Sequence, residues 1–312
     1  MGTRLEDYIT LETMLATKLQ LELAEVVELA WSEHEREVRL GNLDEATHLA
    51  ENLTLESVGP KIRSYAGAMM RASIEYGASM AAGGGRTLTS SLVFDRIVSH
   101  NVDQLCQYLK YGASLQLQKR LLQSIALARA AESAQVGIQK AEAIRDRQSF
   151  KKEADSLAKM VSGLHTSRLG GWGFTAESDM LGLTTYKLSA QLDNRTSRFC
   201  RFIHGKTFTV ESAKKVLDAA VYSDNPDDLK VLHPWPDQSN ASMDSISAMS
   251  AQQLQDRGFG VPPFHPYCRT LMVPVAYKTR LSKPRTTGVQ QDMPEFMATP
   301  ETLLNMETTM PQ

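Results

Sequence analysis

The chain has 312 residues, of which 42% are hydrophobic and 22% charged, with a net charge of −2. That balance argues against wholesale disorder and gives no global pull toward nucleic acid, so charge has to be read locally. Three cysteines are too few and too odd in number for a disulfide framework, the charged start Arg4-Leu5-Glu6-Asp7 lacks the apolar core of a signal peptide, and no run approaches the roughly 18 apolar residues of a membrane helix. Folding in a reducing cytoplasm is the expectation, and the length allows two domains.

Tyr8, Leu11, Leu15, Leu19, Val26 and Leu29 recur at helical spacing, and Gly41-Asn42 is a plausible stop. A short helix can restart with Asp44 as its cap and carry Ala46, Leu49 and Leu53 inward; Gly59-Pro60 breaks it. Pro60 suits the first turn of a third helix that buries Ile62, Tyr65, Met69 and Tyr76 and ends at Gly83-Gly84-Gly85, a hinge or a loop. Phe94, Ile97, Val98, Leu105 and Leu109 fit a fourth, with an interruption near Gly112 before Leu115, Leu121, Leu122 and Ile125 resume.

From Ala128 to Ser156 the composition forms helix but is poor in apolar residues, which predicts a long, partly exposed helix with a mixed-charge face. Gly163, Gly170, Gly171 and Gly173 crowd around Trp172, and glycine at that density predicts a change of structure. The expected division is a helical lobe over 1–165, a second lobe over 174–278 and an extended, basic, proline-containing tail over 279–312. Cys106 reads as a buried inert thiol, and His34, His48 and His100 as ordinary helix residues.

In the second lobe Tyr186, Leu188, Ala190 and Leu192 alternate with polar residues as a half-buried strand. Gly205-Lys206 reads as a tight turn, Thr207 to Val210 as a second strand, and Leu271, Val273 and Val275 as the inward positions of a third. Between them lie a short helix near Ala213 to Ala220, the loop around His233-Pro-Trp-Pro, and a mobile or weakly helical stretch from Ser239 to Gln255. The fold class is therefore α+β: a mainly helical N-terminal lobe followed by a small α+β lobe.

Two motifs carry the chemistry. Cys200 and His204 form a C-x3-H pair, and His265 and Cys268 an H-x2-C pair, all four being donors that zinc prefers. Positions 205 to 264 separate the pairs, so an ion there would clamp a whole lobe. Asp193 sits at the turn leading to Cys200, where its carboxylate can accept from amides one or two residues on, or pair with Arg195 or Arg269. Phosphate-binding, dinucleotide, serine-hydrolase and zincin motifs are missing, and His265-Pro-Tyr lacks the glutamate of a zinc deaminase.

The order D-x-R-T-S-x-x-C-x-x-x-H-G-K-x-F, an insert, then P-P-x-H-P-x-C-R resembles the head-morphogenesis signature of tailed-phage minor head proteins, the family typified by the F protein of phage Mu. The match spans about Tyr186 to Val275, on Asp193, Arg195, Cys200, Gly205, Phe208, Pro262, His265, Cys268 and Arg269. Many members carry an acidic residue where His204 stands and end the signature C-R-C, whereas Thr270 follows Arg269 here. The resemblance implies a non-enzymatic minor capsid protein of the virion, assembled in the host cytoplasm. It also implies the portal protein and other head proteins as partners, and in some members the genome DNA. Neither a membrane nor a small-molecule substrate is expected. A phage-delivered nuclease or toxin-like transferase, or a zinc-containing DNA-binding module using Arg195, Arg198, Arg201 and Lys206, are the alternatives.

Overall fold

In a computed structural model, residues 3–84, 87, 91–133, 140–223 and 231–277 are described. Met1–Lys278 form one compact unit, and the tail predicted from 279 onward lies outside the described residues. The fold is α+β, a helical N-terminal region followed by a small three-stranded antiparallel sheet.

Helix α1 (Thr3–Leu40) buries Leu15 and Leu19 of the predicted stripe, but beyond them the stripe turns one step, to Val27 in place of Val26. Leu15, Leu19, Leu23, Val27 and Trp31, spaced strictly by four, are buried, whereas Leu29 is 60% exposed. Helix α2 (Leu43–Asn52) starts after Asn42. Asp44 is not its cap but lies in its first turn, where it pairs with Arg129 at 2.9 Å. Helix α3 (Val58–Ala81) ends where expected, with Gly83 and Gly84 at φ of +65° and +87°, a backbone that L side chains resist.

Helix α4 (Ser91–Gln107) passes into a π-helical turn, Tyr108–Ala113, and then α5 (Ser114–Ser133). This turn is the interruption predicted near Gly112, where an added Cβ would lie 2.7 Å from the Tyr108 ring. Cys106 is half-buried rather than buried.

Two expectations fail together at helix α6, which runs Lys140–Met180. Of the long helix expected over 128–156, the described parts are the end of α5 and the start of α6, residues 134–139 lying outside the described residues, and α6 continues through every glycine around Trp172. A Cβ on Gly77 of α3 would stand 1.9 Å from the Gly170 carbonyl oxygen, and one on Gly173 1.9 Å from that of Ile74. The glycines thus let two helix backbones touch, and they mark a crossing instead of a boundary. Nor does the early part of α6 project from the body. Phe150, Ala154, Leu157 and Ala158 are buried, the Phe150 ring lies 5.6 Å from Trp31 of α1, and Arg147 and Lys151 both pair with Glu28.

Beyond α6, the sheet has the order β2-β1-β3, with β1 (Leu183–Ala190) central and antiparallel to β2 (Thr207–Thr209) and β3 (Thr270–Tyr277). Tyr186, Leu188 and Ala190 face inward as predicted, while Leu192 lies beyond the strand and is 54% exposed. On β3 the predicted face is inverted: Thr270 and Met272 are buried and Val275 is half exposed. Register decides this, because Thr270 pairs with Ala190 and Met272 with Leu188, and partners directly opposite share a face. The edge-on contact of Phe174 with Tyr186 joins the sheet to α6.

Short helices fill the connections: α7 (Arg198–Ile203), α8 (Val210–Tyr222), α9 (Asn240–Ser247) and α10 (Ala251–Asp256). The last two lie in the stretch from Ser239 to Gln255 expected to be mobile or weakly helical, and they take the helical alternative. Ser239 caps α9, and Ser250 with Gln253 forms a capping box on α10. Among the described residues no helix is long and apolar enough to cross a membrane.

Candidate metal centre

After β1 the chain turns at Asp193. Its Oδ1 accepts from the Arg195 amide at 2.9 Å and from the Thr196 hydroxyl at 3.1 Å, and its own amide donates to that hydroxyl at 2.8 Å. Both carboxylate oxygens also take the Arg269 guanidinium, at 2.7 and 2.8 Å, in the planar fork such pairs prefer. The pairing with Arg269 holds the Asp193 carboxyl well below the usual carboxylate range, and the Arg195 amide and Thr196 hydroxyl add to that against the cost of burial. Arg201 donates to the carbonyls of Asp193 and Thr196, which closes the turn from the other side. Of the two partners the sequence left open for Asp193, the fold uses the side chain of Arg269 and the backbone of Arg195.

Ser197 then caps α7 by accepting from the Cys200 amide at 3.2 Å, so Cys200 is held on the first turn of a helix and not on a loop. Gly205, at φ +79°, makes the tight turn into β2, and its amide donates to the Leu188 carbonyl at 2.7 Å. From the far side, Phe264 packs edge-on to Phe199 with ring centroids 5.1 Å apart and carries His265 and Cys268 behind it. Tyr267, at φ 63°, reaches out to donate its hydroxyl to the Ser156 carbonyl of α6 at 3.0 Å.

These elements bring together three of the four predicted ligands. Cys200 Sγ lies 3.1 Å from His265 Nε2 and 3.9 Å from Cys268 Sγ, and all three donor atoms lie within 4.8 Å of one another. His204 is not in the group: it is exposed at the end of α7, where its Nδ1 accepts from the Ala190 amide at 3.1 Å. A C-x3-H spacing puts both residues on one side of a regular helix, but α7 ends between them, and the chain's departure sends the imidazole to the β1 backbone.

The cluster could hold a metal ion. In a tetrahedral site with metal–sulfur bonds of about 2.3 Å two thiolates stand about 3.8 Å apart, which the two sulfurs already match; His265 Nε2, 3.1 Å from Cys200 Sγ, stands closer to that sulfur than such a site would hold it. His265 Nδ1 lies 2.5 Å from the Pro266 carbonyl and donates to it, so Nε2 is the nitrogen turned to the sulfurs and the one that would give its lone pair to an ion on losing its proton. Burial works against protonating this imidazole, but the contacts with Cys200 and Pro266 raise its pKa on balance. Cys268, Ser197, Thr270 and His265 stabilise the Cys200 thiolate and pull its pKa far down against its burial, while burial and then the neighbouring Cys200 push Cys268 up. One thiolate is thus favoured before any ion arrives, and an ion would supply the charge to deprotonate the second.

One neighbour escaped the sequence entirely. Burial raises the pKa of Glu12 on α1, whose carboxylate lies against Gly163 of α6, while the charges of Arg269 and Arg195 draw it the other way. No spacing in the sequence could signal it, since it arrives only through the packing of α1 on α6. His233 packs as the sequence suggested: it is buried, and its Nε2 accepts from the Trp172 indole at 3.3 Å. Comparison with family models, curated proteins and solved structures returns no match.

Proposed function

We propose that this chain is a structural minor head protein of a tailed bacteriophage, built into the virion at or near the portal, and that one zinc ion clamps its two signature motifs together. The observation that carries the reading is the meeting of Cys200 with His265 and Cys268 across the insert, beside the Asp193–Arg269 fork. The residues by which the chain resembles minor head proteins are the same ones that hold the second lobe's ends together. Two thiols and one imidazole are soft or borderline donors, which suit zinc better than magnesium or calcium. The role is one of support, without turnover, and the partners are the portal and neighbouring head proteins.

Protein purified without chelator should carry close to one zinc per chain, and co-expression with its portal should give a complex that survives size-exclusion chromatography. A metal-free, fully stable chain would remove the clamp. A chain that never accompanies portal or heads would remove the head-protein reading.

A further inference from the structure

With His204 engaged elsewhere, a tetrahedral ion on Cys200, His265 and Cys268 keeps one corner without a protein ligand among the described residues. A surface cleft reaches the cluster, lined among others by Gln191, Arg195, Cys200, His265, Tyr267 and Thr270. One buried polar atom in its lining, Gln191 Oε1, has no hydrogen-bond partner among the described residues, while Thr270, only 2% exposed, turns its hydroxyl to the Cys200 sulfur. Buried polar atoms are nearly always paired, so this orphan points to a ligand or solvent that completes it. The cleft's charges differ in availability. Arg269 is committed to Asp193 through both nitrogens, whereas Arg195 is exposed and its guanidinium makes no hydrogen bond or ion pair among the described residues. Glu12 feels Arg195 but forms no ion pair with it.

We propose that the centre is open: its fourth corner faces the cleft, is filled by solvent at rest, and exchanges that solvent for a carboxylate received by the Arg195 guanidinium. This rests on the metal reading above. Three protein ligands with a fourth, exchangeable position is the arrangement that lets an ion take an outside ligand. A free guanidinium at the cleft mouth selects a planar anion over a neutral donor. A site of this kind would let an acidic side chain of a neighbouring subunit complete the coordination on assembly; a free carboxylate would use the same corner.

The test uses the full chain loaded with cobalt(II), whose visible bands report the coordination sphere. Acetate should shift those bands saturably, and Arg195→Ala should raise the half-saturating acetate concentration about tenfold, the loss of one charge-assisted contact. Thr270→Cys, which offers a fourth thiolate from the cleft wall, should add thiolate character to the spectrum and abolish the acetate response. Bands that ignore acetate in the cobalt-loaded parent would show the site to be closed and overturn the proposal while leaving the metal reading intact. Failure to bind cobalt at all would overturn both. An acetate response that Arg195→Ala leaves unchanged would remove the arginine's part.

Discussion

The crossing of α3 on α6 and the junction of the two signature motifs both join residues distant in sequence, by opposite means. At the crossing the decisive residues are glycines, and contact depends on the absence of a side chain: Gly77 and Gly173 leave no space for even a Cβ. At the junction the backbones stay apart, and side chains make the connection through Cys200, His265, Cys268 and the Asp193–Arg269 fork. A steric contact of the first kind should be fragile to any added atom and indifferent to chelator and oxidant. The second should tolerate small changes of volume but respond to chelation and oxidation.

The sharpest way to break this contrast is Gly173→Val. The helices would have to part along their crossing, at a cost of about 3–5 kcal/mol, and the thermal unfolding transition should fall steeply or vanish. Chelator should not change the outcome. Cys268→Ser or His265→Ala should act on the other region. New protease cuts are expected in 193–206 and 262–269 while the helices keep their circular-dichroism signal, and chelator should give the parent the same cut pattern. Mutants that resist protease like the parent would reduce the cluster to packing.

Acid separates the regions by pH window. Burial first, and then the nearby Arg168, lower the pKa of His165 and His233 to about 3. Their unfolded values lie near 6.5, so between those limits the unfolded chain binds the extra protons, and stability falls as pH drops below about 6.5 by up to about 1.4 kcal/mol per pH unit for each histidine. Asp193 has a depressed carboxyl, so the stability from its fork is present above the unfolded value of about 3.9 and lost only as pH falls below it. Trp172 fluorescence, which reports on His233, should therefore change at milder pH than amide exchange around Asp193. A common midpoint would mean that the two regions unfold as one.

The smallest effect tests a glycine of a different kind. Gly83 has open space where a Cβ would go but a φ of +65°, so Gly83→Ala should cost only about 1–2 kcal/mol, all of it backbone strain. Destabilisation equal to that of Gly173→Val would deny the distinction between a glycine needed for its dihedral and one needed for its size.

That distinction also explains the misread boundary. Gly83-Gly84 and Gly170-Gly171 are nearly the same letters, and a glycine cluster in sequence says only that side chains are absent. Whether the absence serves a left-handed turn or a helix crossing depends on what packs opposite, and for Gly170 and Gly173 that is α3, about a hundred residues upstream.

Local chemistry determined much that was legible in the chain: the helix end at Ala81, the break near Gly112, strand β1, the turn at Gly205, and Asp193 as an acceptor for nearby amides. Each depends on residues within a few positions, where steric limits and hydrogen-bond reach act without the rest of the fold. The ligand types and their pairing into two motifs were legible for the same reason. Tertiary structure alone decided which of the four ligands meet, because the chain leaves α7 at His204 and carries its imidazole to Ala190. It likewise decided which face of β3 is buried, since pairing with β1 fixes the pleat, and it brought Glu12 against α6, where the charges of the signature's arginines act on it. Contacts of that span are set by how helices and strands stack, and neighbouring letters in the sequence carry no record of the partner that will arrive.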